Sequence, residues 1–433
     1  MCHMLNRMRT RLMTALAAAT VVALALAGCS AGSGNSSDPN NPNQVEAITW
    51  WTTGVEKTAL ADLVAEFKTQ NPDLQYIDAS VRGAGGAKAR QAIAARLDAN
   101  NPPDTFQASA GGALTDYVAN GDLQDLTSFY AKNGLTDVYR AALIELMSVD
   151  GKIYSVPADI HRVNVLWSNN PMLTAAGIDT TVAPANIGEW LGDLEKVRQS
   201  GVQYPLALGN DLTQVQLFES VLVADLGAVL YQNLWKSTKN WEGAALMKAI
   251  DHYSQLIAYT DPDRRSQEWL ESTTAVVQCD AAYVMMADYA LSAFQRAGFT
   301  SGKQYSAIPT PGSVGVFDFF ADSFTLPVGA VHDAAARQWL LTVSSAAGQK
   351  ALALSNGSIP ARTDTDPADY PPYQQTAIAA LQLDTVVPSI AHGIAANPTW
   401  TQAITTAVVK FGHDGHPDAL AKALIAAAHS QLD

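Results

Sequence analysis

The sequence predicts an α/β fold built around parallel β-sheets. Short apolar strands alternate with amphipathic helices from residue 47 to about residue 118. Alternation of this kind places crossover helices on the faces of a parallel sheet. The body of the chain, residues 45–433, is long enough for two lobes but not for many domains. Because no linker-like stretch interrupts this sequence, we expect the lobes to exchange strands rather than follow one another.

The first predicted elements are a strand over residues 47–51 and the helix that follows it. Apolar residues recur there with helical spacing, at Leu60, Leu63, Val64 and Phe67. A threonine at position 52 or 53 can cap this helix, and Asn71-Pro72 ends it. A strand over residues 74–77, a helix marked by Ala89, Ile93 and Leu97, a strand over residues 105–107 and a helix from Leu114 follow in order.

The middle of the chain begins with a hairpin signal. Asp150-Gly151 separates two short apolar runs and predicts a tight turn between strands. The elements expected after it are strands over residues 163–167 and 204–208, helices over residues 190–198, 217–234 and 251–259, and strand-like sequence over residues 276–286. Residues 317–328 are apolar with two aspartates, and the tail after Gln375 is predicted to be helical.

The N-terminus has the pattern of a lipoprotein leader. Three arginines precede an apolar run over residues 12–27, which is shorter than the roughly 20 residues that span a bilayer. This predicts a secretory signal over residues 1–28. Its end, Leu26-Ala27-Gly28-Cys29, resembles a bacterial lipobox, which implies lipidation of Cys29; a signal peptide with a chance cysteine is the alternative. Residues 29–45 then form the lipidated cysteine and a polar tether.

The charge balance narrows the classes of partner. The formal net charge is −14, which argues against nucleic acid and against attachment to anionic lipid through surface charge. We therefore expect the lipid on Cys29 to hold the protein at the outer face of the cell membrane.

Two adjacent tryptophans, Trp50 and Trp51, stand at the carboxyl end of the first predicted strand. Ligands of open parallel sheets bind beyond the carboxyl ends of the strands, and successive strand residues point to opposite faces. Aromatic rings suit the apolar faces of sugar rings, and polar side chains suit the hydroxyls. Strand geometry alone leaves two possibilities open: both rings lie in the core, or at least one faces a ligand.

Motifs along nearly all of the body resemble one known family. They are Trp50-Trp51-Thr52, residues 101–107, 151–157, 161–167, 317–323 and 357–362, and Ile390-Ala391-His392-Gly393. The chain is similar to the extracellular solute-binding proteins of carbohydrate ABC importers, in the glucose/mannose/galactose-binding-like branch. The resemblance implies a two-lobed periplasmic-binding-protein-like fold with the ligand cleft between lobes joined by hinge crossovers. The expected lobes are residues 46–162 plus 304–332 and residues 163–303 plus 333–433.

The resemblance also implies the site residues. Trp50 and Trp51 would stack on the sugar, and the hydroxyls would be bound by Glu56, Gln107, Asp288 and His392. Asp288 matches the aspartate of the family's Gly-Asp-Trp, although this chain reads Ala287-Asp288-Tyr289. Further candidates are Ser109, Asp322 and Tyr289.

Two positions depart from the family pattern. Ser109 replaces a basic residue or histidine, and Val328 replaces a lysine. A lost hydrogen-bond partner in a desolvated site costs about 1–3 kcal/mol, so the identity of the sugar stays open.

The predicted function is that of a monomeric receptor that captures a sugar, such as a hexose, and delivers it to an ABC transporter permease. No cofactor, metal or catalytic residue is expected; His413 and His416 near Asp414 are interpreted as an exposed turn. A receptor for another sugar or an oligosaccharide is the alternative. A secreted glycosidase would need two facing carboxylates, for which Glu56, Asp288 and Asp322 are available. A lipoprotein with a purely structural role is the third class of function, after the receptor and the enzyme.

Overall fold

The computed structural model describes residues 37–83 and 86–433. The predicted signal peptide, Cys29 and the first part of the predicted tether lie outside these residues. Within the described part of the chain, the strands are β1 (Gln44–Ile48), β2 (Gln75–Asp78), β3 (Thr105–Ser109), β4 (Ser148–Val149), β5 (Lys152–Ile153), β6 (Ser155–Pro157), β7 (His161–Arg162), β8 (Val165–Asn169), β9 (Leu206–Ala207), β10 (Tyr283–Met285), β11 (Tyr305–Pro309), β12 (Val316–Phe320), β13 (Asp322–Thr325) and β14 (Thr385–Pro388).

The α-helices of the same residues are α1 (Gly54–Gln70), α2 (Ala87–Asp98), α3 (Thr115–Ala119), α4 (Thr127–Lys132), α5 (Leu135–Val138), α6 (Ala141–Leu146), α7 (Asn170–Ala175), α8 (Ile187–Gln199), α9 (Asp211–Leu234), α10 (Ala244–Ile257), α11 (Trp269–Val277), α12 (Leu291–Arg296), α13 (Asp333–Ser344), α14 (Ala346–Asn356), α15 (Pro372–Leu383), α16 (Pro398–Asp414) and α17 (Pro417–Leu432). A 3-10 helix over Asp288–Ala290 precedes α12.

The first lobe is organised by a five-stranded sheet in the order β2-β1-β3-β13-β6. Strand β1 runs parallel to β2 and β3, whereas β13 is antiparallel to β3 and β6. Helix α1 covers this sheet with the apolar face that its spacing predicts, because Leu60, Leu63 and Phe67 are buried. The ring of Phe67 meets Trp339 of α13 edge-on at 5.4 Å between centroids.

The second lobe is organised by a four-stranded sheet in the order β11-β8-β10-β9. Its core helix is α9, which bends at Gly227, where φ is 69°. This helix is long and apolar enough to cross a membrane by length and composition, but 67% of its most apolar stretch is buried inside the protein. Helices α10 and α16 pack against it, so α9 serves as the core helix of the lobe.

A three-stranded sheet, β14-β12-β7, joins the two lobes. Strand β7 lies between β6 of the first lobe and β8 of the second in the chain. Strand β12 lies between β11 of the second lobe and β13 of the first, and it pairs with β7 through Phe319–Arg162 and Phe320–His161. These strands are the hinge crossovers, and they place His161 and Phe320 at the base of the cleft.

Two segments pack on the lobe opposite to the one expected. Strand β11, within the 304–332 segment assigned to the first lobe, pairs with β8 of the second lobe. Helices α13 and α14, within the 333–433 segment assigned to the second lobe, pack on α1 of the first lobe. Both segments carry ordinary apolar faces, so the sequence pattern alone does not show which sheet covers them.

The predictions made from local sequence signals agree with the structure more closely than the assignment of segments to lobes does. The predicted hairpin is confirmed, because Val149 pairs with Lys152 and both turn residues have positive φ. The strand-like interpretation of residues 276–286 is wrong at its start, where α11 continues to Val277. The tail is not wholly helical, because β14 adds a parallel edge to β12.

Candidate functional site

The first-lobe side of the cleft is held together by Gln107, near the carboxyl end of β3. Its Oε1 accepts a hydrogen bond from the backbone N–H of Trp50 at 3.1 Å. Its Nε2 donates to Oδ1 of Asp322, on the neighbouring strand β13, at 2.8 Å. Ser109 pairs with Asp322 in the same register. The structure therefore brings Trp50, Gln107, Ser109 and Asp322 together at one edge of the first sheet.

The two tryptophans lie in different environments. Trp51 is 3% exposed and meets Phe324 edge-on at 5.9 Å between ring centroids, so it packs in the first-lobe core. Trp50 is partly exposed, and the guanidinium carbon of Arg90 lies 5.9 Å from its ring centroid. This geometry favours Trp50 as the ring that can meet a ligand, while ligand stacking by Trp51 stays a prediction.

A buried ion-pair network lies at the base of the cleft. Nδ1 of His161 forms a short hydrogen bond with Asp288, and Nε2 lies 3.4 Å from Oδ2 of Asp159. The backbone N–H of Arg162 donates to the other Asp288 oxygen at 2.9 Å. Burial opposes a charge on His161, but the two aspartates hold its pKa well above the usual value. Burial also raises the pKa of Asp288, which the charge on His161 opposes. This network ties the hinge strand β7 to the second lobe.

Two carboxyl groups of the first lobe have pKa values that are raised into the neutral range. Burial and the charge of Asp159 raise the pKa of Asp322 to about 8. Burial raises the pKa of Glu56 to about 7, with Glu268 adding to the shift and His161 opposing it. Near pH 7 such groups can donate a hydrogen bond when protonated and accept one when ionised, and a sugar hydroxyl can pair with either form.

The same region contains atoms of the types that bind metals. One potential ligand atom from each of Asp159, His161 and Asp322 lies within 4.8 Å of the others. These side chains already take part in the ion pair and hydrogen bonds described above, which account for their proximity without an ion.

Aromatic rings of the second lobe and of the hinge surround Tyr289. Its ring centroid lies 4.7 Å from Trp269 and 5.7 Å from His161, both in edge-on contacts. Phe320 of β12 is stacked between His161, at 4.5 Å, and His392, at 3.7 Å. The second lobe therefore meets the hinge through a continuous aromatic group.

His392 is partly exposed beside this group and lies close to Ser389 and Gln216. Burial, together with the charges of His161 and Arg90, holds the pKa of His392 well below the usual value. Its imidazole is therefore neutral at physiological pH, with one nitrogen able to donate and the other able to accept.

The two lobes touch beside these residues. A Cβ placed on Gly54 would lie 3.5 Å from a methyl group of Leu270, and the Trp269 side chain is near enough to the Glu56 carboxyl to help lower its pKa. The backbone N–H of Gly112 donates to the carbonyl of Ile394 at 3.2 Å. The structure thus has the lobes in contact across the candidate site.

Sequence reasoning missed several residues that contribute to this site. Trp269, Asp159, Gln216 and Glu219 had no assigned role, and His161 was part of a motif without one. The signal for Trp269 is a lone tryptophan at a helix start, where Glu268 and Glu271 form a capping box. Gln216 and Glu219 had no local signal, because their partners lie far away along the chain.

A surface depression of about 270 Å³ lies on the first lobe, away from the cleft. Its charged groups pair with one another: Arg96 donates to both oxygens of Glu46 at 2.9 and 2.7 Å, and His332 Nδ1 lies 2.8 Å from Asp104. This depression is a structural junction near the start of β1, so the cleft is the better candidate for a binding site.

The fold and the cleft define a two-lobed ligand-binding protein. The profile of the bacterial extracellular solute-binding protein family matches residues 51–350. An uncharacterized ABC transporter extracellular-binding protein of Pyrococcus horikoshii is 31% identical over 88% of this chain and 87% of its own length. A probable sugar-binding periplasmic protein of Mesorhizobium japonicum is 30% identical over 86% and 89%. A bacterial solute receptor described as preferring β-D-galactopyranose has the same fold, with a TM-score of 0.76, 18% identity, and 90% and 98% coverage.

These matches extend over most of the chain and establish its class. The chain belongs to the bacterial extracellular solute-binding protein family, which makes it a solute-binding protein rather than an enzyme. The particular branch that the motifs resemble stays a prediction.

Proposed function

We propose that this protein is a receptor that captures a sugar, a monosaccharide such as a hexose, between its lobes and delivers it to the permease of an ABC transporter. One observation carries the proposal: aromatic rings and uncharged or titratable polar groups meet where the lobes touch. Trp50, Trp269 and Tyr289 offer ring faces and edges, and Glu56 and Gln107 are the nearby polar groups. Sugars are recognised by this combination of apolar platforms and hydroxyl partners.

Relatives support a sugar as the ligand, and the packing of the lobes supports a small one. The Mesorhizobium relative carries the name of a sugar-binding protein, and the galactopyranose receptor shares the fold. A chitin oligosaccharide-binding protein shares the fold equally well, with a TM-score of 0.77, so the fold alone does not select ligand size. The lobes approach each other closely at Gly54 and Leu270 and at Gly112 and Ile394, and we take this closed arrangement to favour a single ring.

A thermal-shift screen followed by calorimetry tests this function. Pentoses, hexoses and disaccharides are compared, because a ligand at 100 times its Kd stabilises the fold by about 2.7 kcal/mol. We expect the largest shift with a hexose, and compaction in small-angle scattering when it binds. Stronger binding of a disaccharide would support the oligosaccharide alternative, and the absence of any sugar response would contradict the proposal. Chromogenic glycosides check for turnover, which is not expected.

The lipid anchor is the second part of the proposed function. Lipidation of Cys29 would hold a monomer at the outer face of the membrane through the polar tether, and the family is extracellular. Replacing Cys29 with Ala should release the protein into the medium, whereas Ser30→Ala should leave it attached. Membrane retention of the Cys29→Ala protein would show that the anchor lies elsewhere.

A further inference from the structure

Glu219, in the middle of α9, organises the segment that carries His392. The Glu219 side chain is fully buried. It accepts hydrogen bonds from the backbone N–H groups of Ile390 and Ala391, and from the hydroxyl of Ser389 at 3.0 and 3.1 Å to its two oxygens. Three consecutive residues before His392 are therefore held by one carboxyl group from the core helix.

A chain of hydrogen-bonding groups runs from Glu219 to Tyr289. Ser389 Oγ lies 3.0 Å from Nδ1 of His392. Nε2 of His392 lies 3.3 Å from Nε2 of Gln216, which also donates to the Tyr289 hydroxyl at 2.6 Å. Tyr289 contacts Trp269 edge-on at 4.7 Å between ring centroids and interacts electrostatically with Glu56 of the other lobe, so the chain of hydrogen bonds ends at the candidate ligand site.

Once Glu219 is ionised, each hydrogen bond between these groups can run in only one direction, from one fixed donor to one fixed acceptor. A carboxylate only accepts, so the single hydroxyl proton of Ser389 points to Glu219. Ser389 must then accept the proton on Nδ1 of His392, which leaves Nε2 as an acceptor for the Gln216 amide. Because the Gln216 amide also donates to the Tyr289 oxygen, the proton of Tyr289 is free to donate into the cleft.

Protonation of Glu219 reverses the donor and acceptor roles in every one of these hydrogen bonds. The carboxyl proton points to Ser389, Ser389 donates to Nδ1 of His392, and the imidazole carries its proton on Nε2. Glu219 takes up one proton, while His392 exchanges an Nδ1 proton for one on Nε2 and stays neutral. The amide of Gln216 rotates so that its oxygen accepts from both neighbours, and Tyr289 then offers a lone pair to the cleft.

The Gln216 amide does not itself choose between these directions. Its Oε1 has no hydrogen-bond partner within the part of the chain that the structure describes. Rotation would leave the amide nitrogen in that position instead, so either orientation has one atom without a partner. The direction of the hydrogen bonds is therefore set at the other end of this series of groups, at Glu219.

We propose that Glu219 is a positioning residue that sets the direction of this chain, and thereby whether Tyr289 donates to or accepts from the bound sugar. The effect on the ligand rests on the proposed function, whereas the direction of the chain is a property of the protein without ligand.

The surroundings of Glu219 make it the group that titrates. Asp318 of β12 and Tyr231 of α9 interact with it electrostatically, and Arg162 interacts with Asp318. Both Asp318 oxygens are buried without a partner among the described residues, and burial and Glu219 raise the pKa of Asp318 well above its usual value. Glu219 instead receives hydrogen bonds from Ser389, Ile390 and Ala391, which favour its ionised form, so we expect Glu219 to be the member of this pair that ionises first. Burial raises the pKa of Glu219 to about 8, opposed by the bonds from Ala391, Ile390 and Ser389.

Nitrogen-15 NMR of the histidine rings tests the direction without ligand, because the two tautomers of His392 have distinct shifts. At about pH 9.5, above the Glu219 pKa of about 8, the native protein should carry the His392 proton on Nδ1. Lowering the pH through about 8 should move it to Nε2. Glu219→Gln places an amide donor against Ser389, so its His392 should carry the proton on Nε2 at every pH.

Ser220→Ala is the matched control, since Ser220 is the next residue of α9, is buried and has an unpartnered hydroxyl in the described chain. In this variant the His392 tautomer should respond to pH as it does in the native protein. A His392 proton that stays on Nδ1 in Glu219→Gln, or that ignores pH in the native protein, would overturn the proposal. If Glu219→Gln does not fold, Ser389→Ala cuts the same chain, and its His392 tautomer should no longer respond to pH; a response that persists overturns the proposal.

A double-mutant cycle connects the chain to the ligand. With the hexose that gives the largest thermal shift as the probe, Glu219→Gln should change Kd by roughly fivefold, the value of about one hydrogen bond. In a Tyr289→Phe background the same substitution should leave Kd unchanged. An equal effect in both backgrounds would show general disruption and contradict the proposal. Failure of every sugar to bind would instead count against the proposed function, while the NMR result still decides the direction of the chain.

Discussion

The two faces of the cleft are built in different ways. On the first lobe, Trp50 follows the end of β1 and Gln107 lies within the adjacent strand β3, so sheet pairing places them side by side. On the second lobe, Trp269, Gln216 and His392 come from α11, α9 and the segment after β14, and tertiary contacts alone unite them. The first face is therefore placed by the pairing of strands in one sheet, whereas the second depends on a network of buried polar contacts.

The largest expected effect concerns the adjacent tryptophans of the first face. Trp51→Ala should lower the free energy of unfolding by about 3–5 kcal/mol, because a buried ring leaves a cavity in the core. Trp50→Ala should cost clearly less stability but weaken sugar binding, since the Trp50 ring is partly exposed. Urea unfolding and sugar titration of both variants measure this. Equal destabilisation by the two, with unchanged affinity, would place both rings in the core.

The next effect tests the buried network that joins the two faces. Asp288→Asn keeps the shape of the side chain but removes the charge that pairs with His161. We expect a loss of about 1.5–3 kcal/mol in the free energy of unfolding, the range for hydrogen bonds to charged groups. The control is Asp364→Asn, because Asp364 is an exposed partner of Arg362 and should contribute less than about 1 kcal/mol. Similar losses in both variants would mean that burial adds nothing to the Asp288 pair.

The same contrast explains what the sequence could predict. The hairpin at Asp150-Gly151 and the helix α1 have local signals, because turn chemistry and helical spacing lie within a few residues. Residues 333–356 were expected on the second lobe but pack on the first. The expectation was wrong because the apolar face of a helix does not indicate which sheet or lobe it covers. Strand β14 was missed because it is short and lies between alanine-rich helices.

For the site, motif resemblance located residues whose roles stay predictions. Trp50, Gln107 and Asp322 do lie together, and Asp288 and His392 lie on the hinge side of the same aromatic group. Glu219 and Trp269 had no comparable signal. Glu219 contacts residues about 170 positions away, and Trp269 meets Glu56 from the other lobe, so only the folded chain reveals them.

A smaller effect tests the contact between the faces. Trp269→Phe keeps a ring against Tyr289 but removes the indole N–H, which can donate to the nearby Glu56 carboxyl. Losing one hydrogen bond that favours the closed lobes should weaken affinity for the sugar by about 1 kcal/mol, or roughly fivefold. Trp235→Phe is the control, because the Trp235 indole N–H is buried without a partner in the described residues. Calorimetric titration should leave the affinity of this control unchanged; comparable weakening in both would argue against the cross-lobe bond.

The smallest expected effect is the pH dependence of binding through Glu56. Its pKa is raised to about 7, so the carboxyl is mainly neutral at pH 6 and mainly ionised at pH 8. A sugar hydroxyl that donates to Glu56 binds the carboxylate more strongly than the neutral acid, because charge-assisted bonds are the stronger ones. Bound sugar therefore lowers the pKa of Glu56, and affinity should rise as the pH rises through about 7.

The size of this change should be modest, about twofold to threefold, since Glu56 is partly exposed and solvent screens its charge. Calorimetry in buffers of different ionisation enthalpy should also detect proton release on binding near pH 7. Glu56→Gln removes the titrating group and should flatten the profile, while Glu268→Gln, which removes the neighbouring acid that raises the pKa of Glu56, should move the midpoint to lower pH. An affinity that falls with rising pH in the native protein would mean that Glu56 donates its proton to the sugar, and the first-lobe face would then present a donor where an acceptor is expected.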